Sequence, residues 1–188
     1  MILTISLLTT HHTHYSPLTI TMKKLKIFMV LLVLTTGIAK AQFTKAELQV
    51  SGLSCALCAK ATEKSLKTLP FIGDVKPDLM RNIFVITFKN DQPVNFDEIG
   101  KKVQDAGFFV NSLKATFNFD NVKVDNNYFS YGGDTFRVMN GADKPLSGQI
   151  AVTIVDKGFA PRSVSKKYLS QVADAALIKS GRVYHVAI

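Results

Sequence analysis

A succession of strand-like and helix-like patterns between residues 46 and 119 constrains the fold of this chain more than any other feature. Residues 46–52 alternate apolar and polar side chains, which predicts a strand with Leu48 and Val50 on its buried face. Residues 59–69 repeat apolar side chains at spacings of three and four, which is typical of an amphipathic helix. Pro70 ends this helix, because a proline cannot continue the hydrogen-bonded turn.

The alternation of elements continues beyond this first helix. Residues 74–80 and 82–89 predict two strands around a short turn. Asn95 predicts the start of a second helix, because Glu98 stands three residues later in the register of a capping box. Residues 108–119 form the last predicted strand. The order strand, helix, strand, strand, helix, strand is that of the ferredoxin-like βαββαβ unit, so we expect an α+β fold.

The remaining residues, 120–188, differ from the first segment in composition and in the pattern of apolar side chains. Residues 120–127 are polar and rich in asparagine, which predicts a linker between two domains. Residues 163–178 contain the pattern of one helix, and strand-like patterns occupy residues 128–139, 148–155 and 182–188. We therefore predict that a small β-rich domain over residues 128–188 follows a first domain over residues 42–119.

The segment that precedes the first domain has the three parts of a secretory signal. Met22 is followed by three lysines, by an unbroken apolar run over residues 27–34, and by the cleavage motif Ala39-Lys40-Ala41. The apolar run is too short for a membrane span, which needs roughly 20 apolar residues. We expect cleavage after Ala41 and an exported protein, in a periplasm or outside the cell, that touches a membrane only through the uncleaved signal.

Residues 1–21 precede a methionine that begins a complete signal by itself. We interpret Met22 as the true start, with residues 1–41 comprising a start assigned too early and the signal peptide. The three histidines near the beginning of the chain, His11, His12 and His14, are then upstream sequence rather than a metal cluster.

Net charge is informative only after this segment is set aside. The whole chain carries 23 basic and 14 acidic residues, a net charge of +9, which suggests nucleic-acid binding. Residues 1–41 hold four of the lysines and no acid, so the mature chain has 19 basic and 14 acidic residues and a net charge of +5. Its basic residues are spread along the chain rather than clustered, so no nucleic-acid partner is expected.

Cys55 and Cys58 are the two cysteines of the chain, and they stand between the first strand and the first helix. The separation of two residues places both sulfurs on one side of a tight loop, with Cys58 near the helix N-terminus. The helix dipole and the free N–H groups favour a thiolate there. Two thiolates form a soft site that suits Cu(I) and Hg(II), whereas structural zinc prefers four ligands.

The segment Gly52-Leu53-Ser54-Cys55-Ala56-Leu57-Cys58 resembles the G-M-T-C-x-x-C loop of heavy-metal-associated domains. This family includes the soft-metal modules of copper chaperones, of copper-transporting ATPases and of the periplasmic mercury-binding protein. The resemblance covers residues 46–119, and Gly73-Asp74-Val75 and Ala106-Gly107-Phe108 extend it. Leu53 replaces the usual Met and Ser54 the usual Thr, and neither replacement removes a ligand.

The resemblance implies that Cys55 and Cys58 bind one soft metal ion, most readily Cu(I), with Hg(II) and Zn(II) as alternatives. It also implies sequestration of that ion or its transfer to the cysteines of a partner protein. Two other functions stay open: an interaction or structural protein of the cell envelope with a degenerate metal loop, and a thiol–disulfide exchange protein. The sequence leaves the oligomeric state open.

No other residues indicate a catalytic site. A Ser-His-Asp set, a phosphate-binding loop and supported pairs of carboxylates are all absent from the sequence, so an enzyme is not expected. His185 alternates with apolar neighbours in a predicted strand, which favours a packed histidine over a ligand. Met80 is expected in the core, and Asp134 and Asp156 have no partner that the sequence reveals.

Overall fold

The computed structural model describes residues 43–53, 55–90, 92–141, 144–170 and 182–188. The signal segment, Ser54 and the end of the helix expected over residues 163–178 lie outside the described residues. The described residues all belong to one compact unit, Ala39–Ile188. Within the described parts of the chain, no helix is both long enough and apolar enough to cross a membrane.

The first half of this unit has the element order that the sequence predicts. Its elements are β1 (Phe43–Ser51), α1 (Ala56–Leu66), β2 (Ile72–Asp78), β3 (Ile83–Phe88), α2 (Phe96–Asp105) and β4 (Phe109–Val122). β1 lies between β3 and β4, β2 lies on the far side of β3, and the three pairings are antiparallel. α1 and α2 contact each other, α1 contacts β2, and α2 contacts β4. The α+β, ferredoxin-like expectation is thereby confirmed for this half.

The described residues of the second half form four strands and a helix, in keeping with the expected β-rich segment. Its elements are β5 (Tyr128–Tyr131), β6 (Asp134–Val138), β7 (Leu146–Ile154), α3 (Arg162–Leu169) and β8 (Val183–Ala187). The strand-like segment over residues 128–139 forms the β5–β6 hairpin. Gly132 and Gly133 turn the chain there with φ of +68° and +91°, which glycine adopts without steric cost.

The strands of the second half continue the first sheet instead of forming a sheet of their own. β7 pairs with β4 over eight register positions, and β8, β6 and β5 follow outward, with β6 and β8 parallel. The described strands therefore form one eight-stranded sheet in the order β2-β3-β1-β4-β7-β8-β6-β5. Residues 120–122 of the expected linker belong to β4 itself.

The apolar core crosses the expected domain boundary. The ring centroid of Phe117, on β4, lies 4.8 Å from that of Phe43 and 5.2 Å from that of Phe136. Phe43 precedes the expected boundary in the chain and Phe136 follows it. The ring centroid of Tyr184, on β8, lies 5.5 Å from that of Phe96 on α2. Such edge-to-face contacts stabilise a core beyond the area that they bury. The division into two domains, residues 42–119 and 128–188, stays a prediction from the sequence.

Candidate metal site

The loop between β1 and α1 carries both predicted site residues. β1 ends at Ser51, and Gly52 then turns the chain with φ of +89°, a conformation that side-chain-bearing residues rarely adopt. Leu53 follows and packs its partly buried side chain against the core. The chain is thus anchored on the side of the loop that precedes the cysteines.

Cys55 is the N-cap residue of α1, so the helix begins three residues earlier than the apolar pattern predicts. The Cys55 sulfur accepts the N–H of Cys58 at 3.2 Å, and the Cys55 carbonyl accepts the N–H of Ala59 at 3.1 Å. The N-cap sulfur therefore occupies the place of the hydroxyl or carboxylate oxygen that usually satisfies a free N–H at a helix start. The first turn of α1 contains no acidic side chain to oppose a thiolate.

The two sulfurs lie on the same side of the loop, as the spacing predicts. The Cα atoms of Cys55 and Cys58 are 5.3 Å apart, and their sulfurs are joined as a disulfide. Cys55 is exposed and Cys58 is half-buried. The pair is therefore accessible both to a reductant and to a partner protein, and a metal ion can bind only after the disulfide is reduced to two thiols.

Contacts beneath the pair hold the first turn of α1 in place. The hydroxyl of Thr62, which is fully buried, donates to the Cys58 carbonyl at 3.1 Å. Phe108 is half-buried beside the loop, and its ring lies 3.5 Å from where a Cβ on Gly52 would stand. Phe108 thus shields one side of the loop with an apolar surface, and it has no polar atom to offer a ligand.

The donor set of the loop fits an ion of low coordination number. Among the described residues, no group of three or more His, Cys, Asp and Glu side chains is arranged to hold a metal. The described part of the chain would then contribute two sulfur ligands, those of Cys55 and Cys58. Two thiolates suit Cu(I) or Hg(II), whereas Zn(II) would need further ligands from a partner or from solvent.

Exposed apolar side chains surround this end of the sheet. Leu57, between the cysteines, is 80% exposed, and Phe109, which pairs with Ser51 at the start of β4, is 70% exposed. The expectation that Met80 lies in the core is wrong, because this residue is 94% exposed in the turn between β2 and β3. That turn reaches the end of β1, where the N–H of Val50 donates to the Asn82 carbonyl at 3.4 Å.

A polar cluster that the sequence does not reveal lies between the end of β7 and β8. Asp156 is buried, and its carboxylate accepts the backbone N–H of His185 at 3.0 Å and lies 2.7 Å from His185 Nδ1. The Arg182 guanidinium lies 3.6 Å from the same carboxylate. His185 is therefore packed, as the alternation predicts, and its partner is a carboxylate 29 residues away that no local motif indicates. The cluster attaches β8 to the end of β7.

Arg182 also joins β8 to α2. Its guanidinium donates to both carboxylate oxygens of Asp97, at 2.8 and 3.1 Å, and lies over the Tyr184 ring at 4.5 Å. Burial and the neighbouring Asp97 carboxylate raise the pKa of the Tyr184 hydroxyl far above its usual value. These contacts explain the position of β8 against α2.

Comparison with known proteins supports the resemblance that the loop carries. Residues 47–109 match the model of the Heavy-metal-associated domain. The probable copper-transporting ATPase HMA5 of Arabidopsis thaliana is 37% identical over 65 residues, which are 35% of this chain and 6% of the ATPase. This chain therefore spans only a small part of that relative's length.

Two copper proteins are among the solved structures that are similar to part of this chain. One is the yeast copper transporter domain CCC2A, solved in the apo and Cu(I)-loaded states; it is 25% identical, with a TM-score of 0.32, and the match covers 35% of this chain and 88% of that domain. The other is a variant of CopA from Bacillus subtilis with copper; it is 27% identical, with a TM-score of 0.33 and coverage of 37% and 91%. The family-model match confirms the resemblance to the heavy-metal-associated domain family over residues 47–109, about a third of the chain.

Proposed function

We propose that this chain is an exported protein that binds one soft metal ion, Cu(I) in the first place, through the thiolates of Cys55 and Cys58. The bound ion is held for sequestration or for transfer to a partner protein. The observation that carries this proposal is the accessible cysteine pair at the N-terminus of α1, in the first loop of a ferredoxin-like βαββαβ unit. The family match over residues 47–109 and the copper proteins similar to it support the same function.

Binding requires a reduced pair. Two electrons and two protons convert the disulfide into two thiols, and the metal ion then displaces the two thiol protons. Cu(I) accepts two sulfur ligands in a near-linear arrangement, which the loop can provide without other protein ligands. The open side of the loop leaves room for a third sulfur from a partner, so transfer would proceed by stepwise exchange of thiolate ligands.

Metal titration of the reduced mature protein tests this proposal. We expect one Cu(I) per chain, bound in competition with a chromogenic Cu(I) chelator, and a sulfur-only coordination shell by X-ray absorption. The variant Cys55→Ser/Cys58→Ser should lose this binding, because a hydroxyl is a poor ligand for a soft ion. The variant Ala56→Ser is the matched control, since it adds the same hydroxyl to the loop and keeps both thiols. Equal Cu(I) binding by the double variant and the wild type would refute the proposal.

Thiol–disulfide exchange is the second candidate, because the two sulfurs are joined as a disulfide in the structure. In that reaction the disulfide of this chain would be attacked by a substrate thiolate, and the substrate would be oxidised as Cys55 and Cys58 are reduced. The two functions differ in the reduction potential of the pair. An oxidising potential together with turnover of a dithiol substrate, in a protein that binds no Cu(I), would favour exchange.

Export is part of the proposal and is tested separately. A fusion of residues 22–41 to a phosphatase that is active only outside the cytoplasm should be active in a bacterial host. When the host instead secretes the chain from Met22 to Ile188, its N-terminal sequence should begin at Gln42. Replacement of Lys23, Lys24 and Lys26 by Glu should abolish activity, because the charged start of a signal is required. A fusion that stays inactive and uncleaved would contradict export. Catalysis by this chain is not part of the proposed function.

A further inference from the structure

We propose that a groove between the start of β4 and helix α3 binds an extended acidic segment of a partner protein. The groove has a volume of about 920 Å³ and lies next to the metal loop, because Ser51 at the end of β1 forms part of its wall. The proposal goes beyond metal binding, and its test uses no metal ion. The groove is built largely by the segment 157–169, which lies outside the part of the chain that matches the family.

The floor and walls of the groove are mostly apolar. Phe109 and Val110 contribute from β4, and Ala160, Pro161 and Leu169 contribute from the loop before α3 and from α3 itself. Phe109 remains 70% exposed. An apolar concavity of this size is the usual form of a binding site and is large enough for several side chains of a peptide.

Three cations stand around this apolar surface. Lys157, Arg162 and Lys166 line the groove, and the described residues that line it include no Asp or Glu. In the sequence, Lys166 and Lys167 look like an ordinary pair of surface lysines. In the structure, Lys166 is one of the three cations that line this groove. Unopposed positive charge at an apolar groove favours a ligand that combines carboxylates with an apolar side chain.

Among the described residues, no strand pairs with the β7-facing edge of β4 at this end, whereas its other edge pairs with β1 as far as Phe109. Pairing of β4 with β7 begins at Leu113 and Ile154, so β7 does not pair with residues 109–112 of β4. Val110 and Asn111 of this stretch line the groove. An extended backbone can lie along such an unpaired strand edge, with its alternate side chains in the groove and toward the cations.

The distribution of exposed apolar side chains favours a protein partner over a small ligand or a membrane. Leu57 and Met80 are exposed at the same end of the sheet and do not line the groove, so the apolar surface extends beyond what a small ligand would cover. The three cations surround a concave surface. A flat bilayer binds protruding side chains more readily than a groove, so this arrangement favours a protein partner over a membrane.

Selection from a library of random dodecapeptides displayed on phage tests the proposal on the reduced mature protein. We expect the enriched peptides to be rich in Asp and Glu and to share at least one aliphatic or aromatic residue. Synthetic copies should bind the groove variant Lys157→Glu/Arg162→Glu/Lys166→Glu at least about tenfold more weakly than the wild type. Phe109→Ser should also weaken binding, because it removes an apolar contact without a change of charge.

The matched control is Lys114→Glu/Lys123→Glu/Lys144→Glu, which makes the same charge change at exposed residues outside the groove. Its peptide affinity should stay within about twofold of the wild type, and circular dichroism should show that both triple variants are folded. Enrichment of peptides without acidic residues, or equal losses in the two triple variants, would overturn the proposal. So would the absence of an acidic consensus together with groove-dependent binding to vesicles of phosphatidylcholine and phosphatidylglycerol, since the surface would then belong to a membrane.

Discussion

Two aspartates of the C-terminal half show how the surroundings of a residue decide its role. Asp156 is buried, but it has a backbone N–H, an imidazole and a guanidinium as partners, so its carboxylate is satisfied. Asp134 is half-buried near Asp97. Its carboxyl pKa is raised mainly by burial and further by the negative charge of Asp97, whereas the positive charge of Arg182 acts in the opposite direction. The two residues look alike in the sequence, and their difference arises from residues that are distant in the chain.

The raised pKa of Asp134 predicts how a substitution changes stability with pH. The folded protein binds this proton more tightly than the unfolded chain, so the group favours folding at low pH, and that contribution is lost as pH rises from the unfolded pKa through the folded one. Asp134→Asn removes the unfavourable charge and should raise the melting temperature at pH 7, with the gain disappearing near about pH 3. Thermal unfolding at both pH values measures this.

Asp125→Asn makes the same charge change at an exposed position and controls for the net charge of the protein. A gain at pH 7 that is equal in the two variants would show that net charge, rather than the surroundings of Asp134, causes the effect. A loss of stability in Asp134→Asn at pH 7 would mean that the carboxylate makes a favourable contact, and the predicted direction would be wrong.

At the scale of elements, the local sequence predicts well whether a segment is a helix or a strand, and less well at which residue that helix or strand begins or ends. α2 begins where the capping box predicts, with Asn95 Oδ1 accepting the N–H of Glu98 at 3.2 Å. α1 begins earlier than its apolar pattern, because that pattern marks only the buried face, Ala59, Thr62 and Leu66, and the exposed first turn contributes nothing to it. A helix start is therefore predictable when a standard capping residue is present and is missed when a cysteine takes that place.

The cap of α2 gives a prediction with a defined magnitude. Asn95→Ala should reduce the free energy of unfolding by about 1 kcal/mol, because a free N–H at the start of the helix loses its acceptor. Urea unfolding followed by circular dichroism measures the change. Asn95→Ser keeps an oxygen at the cap and should recover most of the loss. Equal stability of the Ala and Ser variants would show that the side chain of Asn95 does not act as a cap.

At the scale of the whole molecule, the sheet and the core cross the expected domain boundary. β4 pairs with β1 on one side and with β7 on the other, and Phe117 contacts aromatic rings from both halves. Separate domains usually contact each other through smaller and more polar surfaces. A continuous sheet instead couples the stability of the halves, because loss of β7 would expose the edge of β4 from Leu113 onward.

We therefore expect one cooperative unfolding transition for residues 42–188. Far-ultraviolet circular dichroism and tyrosine fluorescence should report the same urea midpoint, as a two-state protein requires. A chain truncated after Asn127 should be less stable and should aggregate, because Phe117 and Phe119 would lose the aromatic rings that cover them. Two separated transitions, or a truncated chain as stable as the whole, would favour the independent domains that the sequence predicts.

The sequence by itself determined the order of elements over residues 46–119, the family to which that segment is similar, and the two cysteines in its first loop. These features are local, since periodicity, capping residues and a motif of seven residues depend on neighbours in the chain. Only the tertiary structure decided that the second half extends the same sheet, that Asp156 meets His185, and that Lys157, Arg162 and Lys166 surround one groove. Those arrangements depend on contacts between residues far apart in the chain, which composition and spacing do not encode.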